Sequence, residues 1–207
     1  MNSTEVRHQW ADRTGEYSPE YYAYYGPNET SDVVRRILGQ YIDQDAPVLE
    51  LGCSSGRHLS HLSEHGFENL SGIEVNGDAL DVMEETYPEL ATEGTFYVDA
   101  IEDVVREFDD DQFSAIYSVE VLQHLHPDAE WVFDELSRIT ADLLVTAENE
   151  GDADHTRSTD PDVSYINDDF PLYHRDWRAI FTERGFVEVD AQPGQKDTIR
   201  TFRMASN

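Results

Sequence analysis

Cysteine and lysine are almost absent from this chain: Cys53 and Lys196 each occur once. A single cysteine cannot form an internal disulfide, so no disulfide framework holds the fold. Basic residues of both kinds number 14 against 44 acidic ones, a formal charge of −30. Duplex binding needs a basic stripe that displaces counterions. The one basic cluster is His174, Arg175 and Arg178, so nucleic acid is not an expected partner. No apolar run reaches membrane-spanning length, and the opening MNSTEVRHQWADRTGEY is polar throughout. The sequence therefore predicts no membrane segment and no signal peptide, and reads as cytoplasmic.

Hydrophobic residues are also sparse, at 39%. High charge with low apolar content is one route to disorder. Here 11% aromatics and apolar runs at regular intervals predict instead a folded domain with an acidic skin. At 207 residues one domain, 1–207, is expected. An acidic, lysine-poor surface suits a cytosol of very high salt, where screening removes the self-repulsion that would loosen the fold. The composition reads as a halophile's.

What is present is an alternation of strand and helix. Pro47 opens the apolar run Val48 to Leu51, short enough for a buried parallel strand. Further strands are expected at Leu70–Val75, Thr95–Val98, Phe113–Ser118, Asp142–Ala147, Phe186–Ala191 and Thr198–Met204. Between them lie helical patterns, among them one from Ser31 (Val33, Val34, Ile37, Leu38), one starting at Asp128, and one over Arg175–Arg184. Residues 1–30 carry Trp10 and five tyrosines before Gly26-Pro27. Residues 148–174 show no clear period, and a loop that long in a compact domain is usually functional or disordered. Alternating elements imply a Rossmann-like α/β fold, a doubly wound parallel sheet of about seven strands. Ligands bind such sheets at the carboxyl ends of the strands.

That rule directs attention to LELGCSSGRHLSHL, Leu49 to Leu62, at the end of the first strand. A phosphate-gripping loop needs four residues between two glycines and then Lys-Ser/Thr, which is not the spacing here. The dinucleotide fingerprint Gly-x-Gly-x-x-Gly would need glycine at Ser54 and Arg57. The pattern Glu50, Gly52, Cys53, Ser54, Gly56 resembles instead the nucleoside-binding motif of class I S-adenosylmethionine-dependent methyltransferases. Ser54 stands where the middle glycine is usual, and a serine fits there if its backbone angles are ordinary.

The resemblance extends from about Val33 to Met204 and implies a last strand running antiparallel. It places Glu50, Gly52, Cys53, Ser54, Gly56 and Val75 around S-adenosylmethionine, with Glu74 at the ribose. It places Asp99 and Ala100 at the adenine, and Ser118 at the end of the fourth strand. Two of these have blander alternatives: a surface carboxylate for Glu74, and a helix-capping acid for Asp99. The small-molecule branch of the family implies a small-molecule acceptor and a monomer or homodimer; a non-catalytic, regulatory cofactor-binding protein and a methyltransferase acting on a macromolecule are the alternatives. Family members that methylate amino groups of DNA or glutamine show Asn/Asp-Pro-Pro-Tyr after the fourth strand; Ser118-Val119-Glu120-Val121 stands here instead, so that subgroup is not expected.

His124, just after the fourth strand, is either the general base for a hydroxyl or amine acceptor or a histidine bonded to neighbouring backbone. Residues 1–30 are read either as an aromatic lid in which Tyr21, Tyr22, Tyr24 and Tyr25 cover the cofactor at the substrate side, with aromatic faces suited to a sulfonium, or as packing that pins the N-terminal segment to the domain. Arg175 could hold an anionic acceptor or simply start a helix, and residues 148–174 form an insertion near the site. His58, His61 and His65 share one helix face, read as a boundary row of imidazoles rather than a metal site. Cys53 is read as packing.

Overall fold

The computed structural model describes residues 2–151, 162–166 and 170–205. Helices α1 (Ser3–Ala11) and α2 (Pro19–Tyr25) form the N-terminal segment, and α3 (Glu29–Tyr41) leads into the sheet. Then β1 (Val48–Leu51), α4 (Arg57–Glu64), β2 (Leu70–Glu74), α5 (Asp78–Thr86), α6 (Pro88–Glu93) and β3 (Thr95–Val98) alternate. The chain continues through α7 (Ile101–Val104), β4 (Phe113–Val119), α8 (Trp131–Ile139) and β5 (Thr140–Glu148). It closes with β6 (Asp162–Ile166), β7 (Phe170–His174), α9 (Trp177–Thr182), β8 (Phe186–Pro193) and β9 (Thr198–Met204).

Seven strands form one sheet in the order β3-β2-β1-β4-β5-β9-β8. The first five are parallel, and β9 runs antiparallel to both β5 and β8. Side-chain alternation sends Leu49 and Leu51 to one face of β1 and Val48 to the other, and each face has its own core. Leu49, Leu51, Ile73 and Ile116 pack with Phe133, Trp177 and Phe202. Val48, Leu70, Tyr117 and Val145 pack with Leu38, Leu59, Leu62 and Met83. Strand order reverses between β1 and its neighbours β2 and β4. Leu51 lies level with Ile73 on one side and Ser118 on the other, so the three strands end together around Gly52, Glu74 and Val119.

Several boundaries differ from expectation. The segment from Asp128 opens as a short 3₁₀ turn, Pro127–Ala129, and the α-helix begins at Trp131. α9 is shorter than Arg175–Arg184 because the Asp176 side chain accepts from Ala179 N at 2.9 Å and sets the start at Trp177. Within 148–174, β5 continues to Glu148 and β6 pairs antiparallel with β7, so part of the expected loop is a hairpin. Its period was hidden because Val163 and Tyr165 point to solvent. The rest of that insertion lies outside the described residues. Among the described residues no helix is long and apolar enough to cross a membrane.

Candidate functional site

A pocket opens at the carboxyl ends of β1 to β4, where strand order reverses and such sheets take ligands. Its floor is the turn Gly52-Cys53-Ser54, its sides are Glu74 to Asn76 and Asp99 to Glu102, and α1 contributes Val6 and Trp10 from above. The turn is shaped by backbone handedness. Gly52 has φ +64°, and a Cβ there would lie 2.4 Å from a Val121 methyl. Cys53 is buried, and its sulfur fills the space where Gly72 has no side chain. Burial pushes its thiol well up, which makes it packing and not a nucleophile. Gly56, at φ +82°, starts α4 against Leu90 and Met83.

Ser54 does not have ordinary angles: its φ is +48°. The left-handed region costs a non-glycine residue about 1–2 kcal/mol, so the usual glycine would relax this turn. Glycine is also freer when unfolded, by roughly 0.5–1 kcal/mol. Ser54→Gly is therefore expected to stabilise the protein by about 0.5–1 kcal/mol. Urea unfolding at constant m-value checks this; a destabilised variant would show that the serine side chain holds the turn.

Glu74 ends β2 facing the turn. One carboxylate oxygen accepts from Ser54 N at 2.7 Å and the other from Asn76 N at 2.8 Å. Burial raises its pKa, and these backbone donors pull the other way. Val75 lies in the pocket wall beside it. Asn76 Nδ2 in turn donates to Arg13 O at 3.1 Å and ties the N-terminal segment to the strand end. Asp99 is exposed at the rim and accepts from Ala100 N at 2.8 Å; α7 has no side-chain cap.

The loop after β4 is held from both sides. Glu148, fully buried at the end of β5, accepts from Ser118 Oγ and from the backbone N–H groups of Val121, Leu122 and Gln123. Burial pushes Glu148 up to about 7 against the pull of these four donors. Arg175 donates to the carbonyls of Leu122 (3.4 Å) and Leu125 (2.7 Å). This loop carries Gln123 and His124 into the pocket wall. His124 Nδ1 lies 2.9 Å from Pro171 O. A carbonyl only accepts, so Nδ1 carries the proton and Nε2 keeps its lone pair. Burial lowers the imidazole pKa to about 4, so it is neutral at pH 7. The backbone-bonded reading and the general-base reading of His124 thus concern different ring nitrogens.

Of the residues expected at the site, Gly52, Cys53, Ser54, Glu74, Val75, Asp99, Ala100, His124 and Tyr22 line one pocket. Others do not. Glu50 is buried behind the turn and accepts from Tyr117 Oη at 3.0 Å. Ser118 is spent on Glu148, and Gly56 supports the turn from α4. Arg175 is buried against Tyr173, Phe133 and Trp177 and does not line the pocket. In α2 only one face turns inward: Tyr22 lies under Arg57, 4.5 Å from guanidinium to ring centroid. Tyr25 is 62% exposed, and Tyr21 packs on its neighbouring tyrosines.

The histidine row does not act as a unit. His58 is buried and pairs with Ser31 Oγ at 2.8 Å, while His61 reaches Asp32 and His65 bonds the His61 carbonyl. Pocket residues not anticipated from sequence are Trp10, Arg13, Tyr17, Arg57, His58, Asn76 and Gln123. For Trp10 and Tyr17 the local signal was the density of aromatic rings in residues 1–30.

This strand order, with the pocket at its reversal, is the S-adenosylmethionine-dependent methyltransferase fold. Residues 48–142 match the family described as a methyltransferase domain. One solved structure similar over most of its length is a Burkholderia thailandensis 1,6-didemethyltoxoflavin-N1-methyltransferase with bound 1,6-didemethyltoxoflavin and S-adenosylhomocysteine. It shares 14% identity at TM-score 0.71, covering 98% of this chain and 88% of that one. Another is the Synechocystis magnesium protoporphyrin IX methyltransferase with S-adenosylhomocysteine, at 13% identity and TM-score 0.71, covering 99% and 100%. Among curated proteins, zebrafish (Danio rerio) EEF1A lysine methyltransferase 2 is 34% identical over 59 residues, 28% of this chain and 25% of that protein. The chain thus matches only a quarter of that relative's length. A [4+2]-cyclase, SpnF, has the same fold at TM-score 0.67 and 13% identity, covering 96% of this chain and 87% of that one, so fold alone does not decide the reaction.

Proposed function

We propose that this protein transfers a methyl group from S-adenosylmethionine to a small-molecule acceptor. The observation that carries the reading is the Glu74 carboxylate, hydrogen-bonded to Ser54 N of the Gly52–Ser54 turn at the point where the strands reverse. The cofactor is S-adenosylmethionine, which when bound supplies an electrophilic methyl on sulfur. Two features suit it. At Gly52 the backbone turns with φ +64° at the pocket, and Val121 fills the space that a Cβ would need. Glu74 offers a carboxylate to a ribose diol, with Val75, Asp99 and Ala100 bordering the adenine. Glu50 and Gly56 act behind the turn by shaping it.

His124 is the base. Its Nε2 lone pair takes the proton of an acceptor hydroxyl or amine, and Pro171 O keeps the tautomer fixed through Nδ1. Much of the rate would still come from holding acceptor and methyl in line. A positioned base contributes about 10²–10⁴-fold, so His124→Asn is expected to lower kcat about a hundredfold with S-adenosylhomocysteine affinity unchanged. Full turnover in that variant would remove His124 from the chemistry.

The acidic, lysine-poor composition supports a halophilic, cytoplasmic setting, so binding and turnover should be measured in molar salt. Titration calorimetry with S-adenosylhomocysteine tests the cofactor site, and methyl transfer across a metabolite library tests the reaction. Binding without transfer would leave a cofactor-binding protein; no binding would end the proposal.

A further inference from the structure

One wall of the pocket has a distinct chemistry. It is bounded by α1, by the loop after β4 and by the β6–β7 hairpin. Ring-bearing side chains dominate this wall: Trp10, Tyr17, Tyr22, His124 and His126. Trp10 is its centre, with ring centroids 4.7 Å from His124 and 4.6 Å from Phe170.

Its indole N–H is shut off from solvent and has no hydrogen-bond partner among the described residues. A buried donor left unpaired costs stability; the N–H is closed in this conformation, and a ligand oxygen satisfies it once the indole shifts against its neighbours. Beside it, His124 Nε2 is an acceptor, because Nδ1 donates to Pro171 O. Arg13 adds a cation. Its Nε donates to Glu16 O at 2.6 Å, its guanidinium lies 4.6 Å from the Phe170 ring centroid and 5.7 Å from that of Tyr17, and no carboxylate pairs with it among the described residues. Glu74, Asp99, Glu102 and Glu120 line the same pocket, yet none of them pairs with Arg13, which leaves its guanidinium open to a ligand anion.

Resting on the methyltransferase reading, we propose that the acceptor is a flat aromatic hydroxy acid: its ring packs against Trp10, its hydroxyl donates to His124 Nε2, and its carboxylate accepts from Trp10 Nε1–H and Arg13. The two donors and the one acceptor divide the ligand's polar groups between them. Aliphatic acceptors forfeit the ring contacts, and neutral phenols forfeit the arginine.

The test uses the full chain saturated with S-adenosylhomocysteine in molar salt. Three probe sets are titrated: hydroxybenzoates and hydroxyphenylacetates, the matching phenols without carboxylate, and 4-hydroxycyclohexanecarboxylate. At least one aromatic hydroxy acid should bind ten times more tightly than either its phenol or the saturated acid. Trp10→Phe keeps a ring and deletes the donor, and should weaken that probe about tenfold. Arg13→Gln should weaken it tenfold or more and level the preference for the carboxylate. S-adenosylhomocysteine affinity should hold in both variants. If S-adenosylhomocysteine binds but no aromatic acid does, or the saturated acid binds as well, the acceptor class is wrong and the cofactor reading stands. If S-adenosylhomocysteine does not bind, the cofactor reading itself fails.

Discussion

Glu74→Ala is expected to weaken S-adenosylhomocysteine binding by at least a hundredfold while the domain stays folded. A hydrogen bond to a charged acceptor contributes about 1.5–3 kcal/mol, and a ribose diol makes two to this carboxylate. Their joint loss exceeds the roughly 2.8 kcal/mol that corresponds to a hundredfold change. The fold should survive because Glu74 is only half-buried and the two N–H groups it holds, on Ser54 and Asn76, lie at the pocket where water can replace it. Glu74→Gln separates charge from shape: it keeps one acceptor oxygen, so it should bind more weakly than wild type and more tightly than Glu74→Ala.

The pH dependence follows from the same group. Burial raises the Glu74 pKa, and only the ionised form accepts both hydroxyls. Affinity should therefore fall on acidification, beginning above the ordinary carboxylate range, and the fall should be missing in Glu74→Gln. Calorimetry on the three proteins between pH 5 and 8 is the measurement. Wild-type affinity in Glu74→Ala would mean that the ligand lies elsewhere.

Much of this fold could be read from the sequence because its strands are short, apolar and separated by helical periods. Val48–Leu51, Thr95–Val98 and Thr198–Met204 start and stop where expected, each bounded by a glycine, a proline or a polar turn. The turn at Gly52 and the acid at Glu74 were legible for the same reason: both are fixed by position at strand ends. What could not be read depends on contacts between distant segments. Trp10 reaches the pocket because α1 packs on the β6–β7 hairpin and the His124 loop, and nothing local to Trp10 encodes that. The hairpin itself escaped because its apolar side chains, Val163 and Tyr165, face outward. Ser54 shows the limit of resemblance. The motif located the turn, while the handedness of its backbone, φ +48°, comes only from coordinates. Arg175 looked like a ligand for an anion; being buried under Leu122 and Leu125, it secures the loop from below instead.

The opposite anchor of that loop gives the second large effect. Glu148→Ala would leave three backbone N–H groups and the Ser118 hydroxyl buried without their acceptor. Each unmet backbone donor costs about 1–3 kcal/mol, so a loss above roughly 3 kcal/mol is expected, a large share of a typical domain's stability. Glu148→Gln is milder, since its amide oxygen can keep the Ser118, Val121 and Leu122 donors, and its –NH₂ conflicts only with Gln123 N. The proton linkage runs in a definite direction. The folded-state pKa of Glu148, about 7, lies above the ordinary value of 4.5, so burial favours the protonated form. The stability contributed by that preference is full below about pH 4.5 and is lost as pH rises through about 7. Wild-type stability should therefore decline between pH 5 and 8 relative to Glu148→Gln, which has no proton to release. Because this loop carries Gln123 and His124, the same variant should lower turnover more than S-adenosylhomocysteine affinity. Denaturant unfolding across that pH range, with turnover measured alongside, decides it. Parallel stability curves for wild type and Glu148→Gln would show that Glu148 stays ionised in its nest of donors throughout.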